Sequence, residues 1–374
     1  MAGEKRQNRH VKITIVGAGI VGYAVAYELA ARGARVRLVD PRGSGQGATR
    51  ASAGILAPYI EGHATDLLRL GLCSLEHYDS FIARVAAGAQ RPIEYRRCGT
   101  LQVARSDSDA RQLEHAARIL ATAGASHTCL DGDAVSRLEP SLAEGVAAGL
   151  LVPQHGYVGV ATLMSALVEA ARRHGATLST ATVNGIDLAG GSVRVATSEE
   201  TFASDAVVIA AGSWSGAIPM APAVPPPVRP VRGQLLQLRF ASQPLSRVVW
   251  GTAAYLVPWE DGSVLVGATV EEAGFDERVT VPGIRQLLDA AEALLPAART
   301  ATFDGARAGL RPATADELPI VGRSSTMRGV YYATGHYRNG VLLAPLTAAM
   351  IADLVLDGRE RGELALVRPD RFGL

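Results

Sequence analysis

Two short stretches near the C-terminus place arginines between glycines, and arginine is the side chain best suited to hold a carboxylate. Arg311 belongs to a Gly-Leu-Arg-Pro sequence, and Arg338 belongs to a Gly-His-Tyr-Arg-Asn-Gly sequence. A guanidinium group binds a carboxylate through two parallel, charge-assisted hydrogen bonds. Because glycines bound both stretches, we expect each arginine to lie on a turn that faces a small carboxylate ligand.

A third glycine-rich stretch, Gly-Ala-Gly-Ile-Val-Gly at residues 17–22, has the spacing of a dinucleotide-binding turn. The surrounding pattern predicts a strand over 11–16, a helix over 21–32 and a second strand over 35–40. Asp40 ends that second strand about 20 residues after the glycines, where a carboxylate accepts hydrogen bonds from ribose hydroxyls. The glycines alone fit a nicotinamide dehydrogenase, a flavoprotein or a chance match about equally well.

Along the rest of the chain the predicted helices and strands follow an α/β order. The chain leaves the nucleotide domain and later returns to it. An apolar strand over 205–210 ends in Ala-Ala-Gly, as expected beside a bound pyrophosphate. The prolines of 219–230 predict a stiff connector that either crosses between domains or forms a surface loop. Further helices are predicted over 67–86, 107–123, 161–174, 282–295 and 344–356. Further strands are predicted over 100–104, 178–183, 234–239, 255–258, 263–268 and 329–334, with a hairpin over 185–201.

Composition excludes several classes of partner. The chain has 374 residues, with 37 lysines and arginines against 36 acidic residues, so no net field favours nucleic acid or an anionic membrane. Three cysteines with no Cys-x-x-Cys pair disfavour a metal site and a disulfide framework, and they fit a reducing cytoplasm. The apolar run over 13–31 could be mistaken for a signal anchor, but its glycines have dinucleotide-fold spacing. We therefore expect a cytoplasmic protein with no membrane span, no nucleic-acid partner and no metal.

Six motifs occur in the order typical of the glycine oxidase branch of the D-amino-acid oxidase superfamily, and the chain resembles that branch from about residue 11 to residue 357. The motifs are GAGIVG at 17–22, ASAGILAP at 51–58, YLVP at 255–258, VGAT at 266–269, GLRPAT at 309–314 and GHYRNG at 335–340. The resemblance implies a fold of the α/β class in a molecule that is α+β overall. In it, a Rossmann-like FAD-binding domain (11–90, 150–218 and 300–374) is interleaved with an antiparallel-sheet substrate domain (91–149 and 219–299).

The same resemblance implies the residues that hold FAD. They are Gly17, Gly19, Ile20, Val21, Gly22, Asp40, Ser52, Ala53, Gly54, Ile55, Val183, Ala211, Gly212, Trp214, His336, Arg338, Asn339, Gly340, Val341 and Leu342. Covalent attachment, as in sarcosine oxidases, needs a cysteine near the C-terminal flavin loop. All three cysteines precede residue 130, so we expect FAD to be non-covalent, and we expect each cysteine to be a buried small hydrophobe.

By resemblance, Arg311 binds the carboxylate of a small amino acid or amine, and Tyr255 assists it. The backbone amides of 339–341 stabilise negative charge on the reduced flavin, whereas Arg338 either contacts substrate or braces its loop. His336 is more often structural than catalytic in such a position. Hydride transfer from Cα to flavin N5 then gives an imine, and the products are an oxo acid, ammonia or amine, and hydrogen peroxide formed from molecular oxygen.

Three alternatives stay open from the sequence. They are a D-amino-acid dehydrogenase that passes electrons to a quinone, an oxidase of secondary amines such as sarcosine, and a flavin-dependent tRNA-modifying or assembly factor. Ala253 and Val270 stand where some relatives carry histidine and methionine, so a substrate larger than glycine is also open. A role in thiamine thiazole synthesis is implied by the resemblance alone, and a homo-oligomeric state stays open.

Overall fold

The computed structural model describes residues 11–61 and 65–374, and the following elements lie within those ranges. The strands are β1 (Lys12–Val16), β2 (Arg35–Val39), β3 (Ile55–Leu56), β4 (Tyr95–Arg96), β5 (Thr100–Ala104), β6 (Thr128–Asp131), β7 (Ala148–Val152), β8 (Gly156–Val158), β9 (Thr177–Ser179), β10 (Val183–Ala189), β11 (Ser192–Thr197), β12 (Thr201–Ser204), β13 (Ala206–Ile209), β14 (Met220–Ala221), β15 (Arg229–Arg239), β16 (Val248–Trp250), β17 (Tyr255–Pro258), β18 (Ser263–Gly267), β19 (Thr302–Ala313), β20 (Ile320–Arg323) and β21 (Val330–Thr334). The α-helices are α1 (Ile20–Ala31), α2 (Pro58–Glu61), α3 (Thr65–Ala89), α4 (Asp107–Thr122), α5 (Gly132–Leu138), α6 (Val160–Arg173), α7 (Val281–Leu294) and α8 (Gly340–Leu356). Short 3₁₀ helices lie at Gly212–Ala217, Pro296–Thr300, Gly362–Leu366 and Pro369–Phe372.

A six-stranded sheet in the order β20-β21-β13-β1-β2-β9 forms the centre of the nucleotide-binding half. Its strands are parallel except for β20, which runs antiparallel to β21. Helices α1, α3, α6 and α8 pack together against one face, and the small sheet β12-β11-β10-β14 packs against the other. Since both faces of the central sheet are covered, its strands are apolar throughout, as β13 illustrates with four fully buried residues.

An eight-stranded, mostly antiparallel sheet forms the second half of the molecule, in the order β19-β15-β18-β17-β16-β5-β7-β6. Helix α7 covers one face of this sheet with Leu287, Ala291 and Leu294. The other face carries Leu235, Tyr255 and Leu265 and turns towards the nucleotide-binding half. The two halves alternate along the chain, which confirms the predicted fold class.

Two of the predicted domain limits disagree with the strands that form the eight-stranded sheet. Strand β19 belongs to the eight-stranded sheet, although the prediction places residues 300–374 with the nucleotide domain. Strand β7 straddles the predicted limit at residue 150 in the same way. The assignment of individual segments to two domains stays a prediction.

Several element predictions are confirmed, and three are corrected. Strand β5, strand β17 and the hairpin of β10 and β11 lie where the patterns place them. The Gly-Leu-Arg-Pro stretch is not a turn, because it lies inside the long strand β19. The strand predicted over 178–183 ends at Ser179, and Val183 begins β10 instead. Strand β15 begins at Arg229, inside the predicted connector, since Pro230 is accommodated opposite Pro312 of β19.

No helix in the described part of the chain is both long enough and apolar enough to cross a membrane.

Candidate active site

A deep cleft lies between the six-stranded sheet and the face of the eight-stranded sheet that turns towards it. Its floor is formed where β1, β13 and β21 end, through Gly17, Ala210 to Gly212, and Thr334. Its opposite wall comes from Tyr255, Gly267 and Arg311 of the second sheet. Ligands of open parallel sheets bind at the carboxyl ends of the strands, so the cleft lies where the fold predicts a ligand.

The turn between β1 and α1 brings the backbone of two strands unusually close together. Gly17 has φ of +111°, and a Cβ atom there would lie 2.3 Å from the carbonyl oxygen of Ala210. No other residue fits this position, because the obstacle is backbone rather than a movable side chain. The close approach aims the N-terminus of the 12-residue helix α1 at the cleft. A helix N-terminus is a binding site for phosphate.

Asp40 lies at the end of β2 and lines the cleft, as the sequence predicts. Its Oδ2 accepts the amide N–H of Ala18 at 2.9 Å, and its Oδ1 accepts that of Arg42 at 2.8 Å. Each carboxylate oxygen has two lone pairs, so both oxygens can accept a further hydrogen bond. The backbone therefore fixes Asp40 in an orientation that leaves capacity for ribose hydroxyls.

The segment from Gly47 to Ala57 forms one side of the cleft. Thr49 is buried, and its Oγ1 accepts the amide N–H of Ile20 at 3.0 Å, which joins the segment to the start of α1. The four residues from Ser52 to Ile55 line the cleft, and their contact with FAD stays a prediction. The small side chains of this segment allow its backbone to approach a flat ring closely.

Helix α8 directs a second helix N-terminus into the same cleft. Asn339 caps it, and the next three residues up to Leu342 line the cleft. Helix α3 anchors this end, since Tyr78 donates its hydroxyl to the carbonyl oxygen of Val341 at 2.7 Å. The helix begins at Gly340, four residues before the predicted start, because the loop glycine itself takes helical geometry.

His336 lies in this cleft but is placed as a structural residue. Its ring is 3% exposed, and its Nε2 lies 3.0 Å from Oγ1 of Thr347. Burial lowers the pKa of His336 to about 3, so the ring is neutral at neutral pH. A buried neutral ring bonded to a threonine is poorly placed to exchange protons with a ligand.

Arg311 extends from β19 across a gap left by a glycine of the neighbouring strand. A Cβ atom at Gly233 would lie 2.3 to 2.5 Å from the guanidinium atoms of Arg311. Its Nη1 donates to the carbonyl oxygens of Thr269 at 2.9 Å and Arg232 at 3.3 Å. Within the described ranges no acidic side chain forms an ion pair with it. The group is thus fixed by backbone while its charge stays available to a ligand.

Tyr255 approaches the cleft over a second glycine. A Cβ atom at Gly267 would lie 2.4 Å from the Tyr255 hydroxyl oxygen and 2.3 Å from Cζ. The tyrosine ring also packs against Trp250 at a centroid distance of 5.0 Å. Strands β15 and β18 are adjacent, so Arg311 and Tyr255 lie over neighbouring strands of one sheet face. The structure therefore brings both predicted substrate residues to one wall of the cleft.

Arg338 lines the cleft near its outer surface. The side chain is exposed, its Nη2 donates to the Tyr337 hydroxyl at 3.2 Å, and its guanidinium lies 4.9 Å from the centre of that ring. This placement leaves both predicted roles open, since an exposed arginine can brace its own loop or meet a ligand at the mouth of the cleft.

A polar cluster behind Arg311 was not predicted from the sequence. Arg232 is 7% exposed and forms ion pairs with Glu271 at 2.5 Å and Asp276 at 2.9 Å. Glu271 also accepts hydrogen bonds from Thr269 and Gln234. Because Arg232 and Thr269 supply the two carbonyls that hold Arg311, the cluster fixes the position of the cationic group. The Thr-x-Glu spacing alone carries no signal for this arrangement.

The segment after β18 crosses the cleft and contacts the nucleotide-binding half. Glu277 forms an ion pair with Arg42 at 3.0 Å, and the Arg42 guanidinium lies 3.9 Å from the centre of the Trp214 ring. Phe275 packs against the same tryptophan at a centroid distance of 5.8 Å. Arg42 and Trp214 both line the cleft, so these contacts close its nucleotide end.

Two predicted cofactor residues lie elsewhere. Gly22 is inside α1, where a Cβ atom would lie 2.1 Å from the carbonyl oxygen of Gly17, so it permits packing and does not line the cleft. Val183 begins β10 and is also absent from the lining. Their predicted contacts with FAD stay predictions.

None of the three cysteines lines the cleft. Cys73 and Cys98 are partly buried, and burial is the largest cause of the raised pKa of each thiol. Cys129 is exposed, so the expectation that all three are buried is wrong for this residue. Its place on β6, the edge strand of the eight-stranded sheet, explains the exposure.

The described residues fit FAD. Two helix N-termini face one cleft, where one can bind a pyrophosphate and the other can stabilise negative charge on a ring. Between them the wall consists largely of glycine, alanine and serine, which admit a flat ring system.

Comparison with known proteins agrees with this geometry. The profile of the family described as FAD dependent oxidoreductase matches residues 12–354, and the chain belongs to that family. The chain is 33% identical to a glycine oxidase of Geobacillus kaustophilus, over 94% of each protein. A crystal structure of glycine oxidase from that organism superposes with a TM-score of 0.91 at 32% identity, covering 96% of this chain and 98% of the other. The resemblance inferred from the motifs is therefore confirmed.

A second kind of relative is longer than this chain. The chain is 35% identical to the bifunctional protein ThiO/ThiG of a Synechocystis species, over 96% of this chain and 54% of that protein. The chain thus spans about half the length of this relative.

Proposed function

We propose that this protein uses non-covalent FAD to oxidise glycine or another small amino acid or amine to an oxo acid, with ammonia or amine as co-product. The observation that carries the proposal is Arg311, whose Nη1 is fixed by two backbone carbonyls while no described acidic residue neutralises its charge. A fixed, unneutralised guanidinium in a cleft is suited to a carboxylate ligand.

The other residues of the wall support the same assignment. Tyr255 lies beside Arg311 and offers a hydroxyl to the second side of the carboxylate. The amides at the start of α8 offer hydrogen-bond donors where negative charge develops during the reaction. FAD, when bound, supplies the hydride acceptor and, on reoxidation by molecular oxygen, hydrogen peroxide.

The ionisable side chains that line the cleft argue against a side chain that acts as general base on the substrate amine. Among the described lining residues the acidic group is Asp40, at the nucleotide end, where it accepts two backbone amides. His336 is bonded to Thr347 and is neutral. We therefore infer that the substrate amine enters unprotonated, and that the chain contributes mainly by orienting the substrate Cα.

Substrate choice belongs to the same proposal. Ala253 and Val270 line the cleft, and Val270 is 55% exposed, so the wall beside Arg311 leaves room for a side chain or an N-substituent. The role of Arg338 at the mouth, the thiamine pathway, the homo-oligomeric state and the cytoplasmic location stay predictions.

Purified protein tests the proposal directly. We expect a yellow flavoprotein that releases its flavin on denaturation and consumes oxygen with glycine, sarcosine or D-alanine, forming peroxide. Glycine amide, which lacks the carboxylate, should be a poor substrate because Arg311 then has no anion to bind.

The alternatives give different results in the same assay. Reduction of a quinone analogue without oxygen uptake would identify a dehydrogenase. Turnover restricted to sarcosine and proline would identify a secondary-amine oxidase. Absence of turnover with every free amino acid would contradict the proposal.

A further inference from the structure

One loop of the eight-stranded half contacts the nucleotide-binding half although none of its residues lines the cleft. This loop, here called the clasp loop, consists of residues 271–280 between β18 and α7. Its two ends meet at Gln234 of β15, which is fully buried. The Gln234 side-chain nitrogen donates to Oε1 of Glu271 at 2.7 Å and to Oγ1 of Thr280 at 2.9 Å. A single buried side chain therefore joins both ends of the loop.

A buried arginine braces the middle of the clasp loop. Arg232 forms an ion pair with Asp276 at 2.9 Å, and its Nη1 also donates to the carbonyl oxygen of Arg278 at 3.3 Å. Oδ1 of Asp276 in turn accepts the amide N–H and the Nε–H of Arg278, each at 2.9 Å. Because these contacts join the loop to itself and to β15, the loop presents its tip in one fixed position.

The tip of the clasp loop carries two side chains that reach the other half of the molecule. Gly274 has φ of +58°, in the left-handed region that glycine permits, and the chain turns there. Phe275 follows it and packs against Trp214 at a centroid distance of 5.8 Å. Glu277 forms an ion pair with Arg42 at 3.0 Å. Both partners belong to the nucleotide-binding half.

Arg42 and Trp214 form a stack that lines the cleft at its nucleotide end, here called the nucleotide-end stack. The Arg42 guanidinium lies 3.9 Å from the centre of the Trp214 ring. A Cβ atom at Gly47 would lie 2.6 Å from Nη2 of Arg42 and 3.4 Å from Cζ3 of Trp214, so this glycine leaves room for the stack. The Arg42 amide N–H is bonded to Asp40, the carboxylate that is oriented for ribose hydroxyls. The stack is therefore part of the wall beside the ribose position.

The clasp loop contacts both members of the nucleotide-end stack. Glu277 orients the guanidinium, and Phe275 packs against the indole ring. A site whose side chains are already held in place binds its ligand more tightly, because less rotational freedom is lost on binding. Such a gain in affinity is expressed mainly as slower dissociation of the ligand.

We propose that Phe275 and Glu277 are positioning residues for the cofactor, which hold the nucleotide-end stack in place and so slow the release of FAD. Both act through the stack, since neither lines the cleft. This inference rests on the non-covalent binding of FAD in the proposed function, and it requires no particular substrate.

The rate of FAD release from the holoenzyme tests the inference. The holoenzyme is diluted, and free flavin is followed by its fluorescence in the unmodified protein, Glu277→Gln and Phe275→Ala. We expect release to be about two- to tenfold faster in each variant, as for loss of one exposed ion pair or one aromatic contact. With FAD in excess, kcat/KM for glycine should stay close to that of the unmodified protein, because neither residue contacts Arg311.

Two control variants make the same chemical changes away from the nucleotide-end stack. Glu272→Gln removes a carboxylate of the same loop that pairs with Arg229. Phe303→Ala removes a phenylalanine of β19 that is 53% exposed, the same fraction as Phe275. Neither control should accelerate the release of FAD.

A double-mutant cycle shows whether Glu277 acts through Arg42. Arg42→Met alone should accelerate FAD release, and Glu277→Gln added to it should cause no further change. Ionic strength gives an independent measurement, since salt screens the exposed ion pair. High salt should therefore accelerate release from the unmodified protein more than from Glu277→Gln, a difference that a purely structural role would not produce.

Three results would overturn the inference. One is an unchanged release rate in Glu277→Gln or in Phe275→Ala, and another is equal acceleration in the two control variants. The third is full additivity of Arg42→Met and Glu277→Gln. Release is measured without any amino acid, so failure to oxidise every amino acid would contradict the proposed function alone.

Discussion

Two glycines create the space that Arg311 and Tyr255 occupy. Gly233 and Gly267 belong to neighbouring strands, and at each position a methyl group would overlap the side chain that lies above it. The Arg311 guanidinium and the Tyr255 phenol can therefore take these positions only because the residue beneath each has no side chain. Hydrogen bonds alone do not determine the positions. This relationship is invisible in the sequence, where neither glycine belongs to a turn.

Gly233→Ala tests this dependence. The added methyl group would displace the Arg311 guanidinium, so we expect KM for a carboxylate substrate to rise about tenfold or more, as for a misplaced binding group. Flavin content should stay unchanged, because Arg311 holds substrate and not cofactor. Gly185→Ala, where no atom lies within 4 Å of the added methyl group, is the matched control. An unchanged KM in Gly233→Ala would contradict the placement of Arg311.

The residues of the cleft were predictable to different degrees. Arg311 and Tyr255 stand out because each belongs to a motif with a chemical role. Arg232 was not predicted, since its function depends on Glu271, which is close only after β15 and β18 pair.

At the scale of elements, the turn after β1 positions the cofactor end of the cleft. Strand β13 ends at Ile209, and the next carbonyl group fills the space beside Gly17. The two strands are parallel neighbours, so the turn has no freedom to move away.

Gly17→Ala should therefore distort the turn after β1 and weaken cofactor binding there. The methyl group would meet backbone at 2.3 Å, and φ of +111° is unfavourable for alanine, so we expect a lower Tm and loss of bound flavin. Gly43→Ala provides the control, since Gly43 has φ of +79° but no atom within 4 Å of an added methyl group. Retention of flavin by Gly17→Ala, measured by absorbance after gel filtration, would contradict the assignment.

Element boundaries followed from the sequence wherever the apolar pattern was long. Strand β5, with four of its five residues buried, lies at the predicted residues, and helix α4, capped by Ser106, begins at the predicted residue and ends one residue early. Strand β19 was mistaken for a turn around Arg311, since Gly309 and Pro312 are typical turn residues. The pairing of β19 with β15 over its whole length overrides that local preference.

At the scale of the whole molecule, two buried histidines make stability depend on pH. Burial lowers the pKa of His155 and of His336 to about 3 from 6.5. The unfolded chain then binds protons more strongly than the folded protein. Stability is fully present above pH 6.5 and is lost as the pH falls towards 3, because protons then bind the unfolded chain in preference to the folded protein.

His155→Gln should make Tm less sensitive to pH between 6.5 and 4, because one of the two titrating rings is removed. His155 lies outside the cleft lining, so flavin binding should not change. Thr100→Val is the control: it removes the 2.7 Å contact between Thr100 Oγ1 and His155 Nδ1 but keeps the titrating ring. An identical pH dependence of Tm in His155→Gln and the unmodified protein would contradict this prediction.

The two halves of the molecule meet in the cleft, and the proposed reaction depends on both. The six-stranded sheet supplies the cofactor end, and the eight-stranded sheet supplies Arg311 and Tyr255. Their alternation along the chain was predictable from the return of apolar strands near residues 205 and 329. The contact of Phe275 with Trp214 was not, because the loop that carries Phe275 has no regular pattern.

The most direct test of the account is kcat/KM for glycine and sarcosine in Arg311→Met, measured with flavin content. We predict a fall of about 10² to 10³ in kcat/KM, as expected for loss of a charge-assisted carboxylate contact of roughly 3 to 4 kcal/mol, with FAD bound at full occupancy. Arg323→Met, the control at an exposed arginine of β20, should leave both quantities unchanged. Normal kcat/KM in Arg311→Met would contradict the assignment of Arg311 as the substrate carboxylate site.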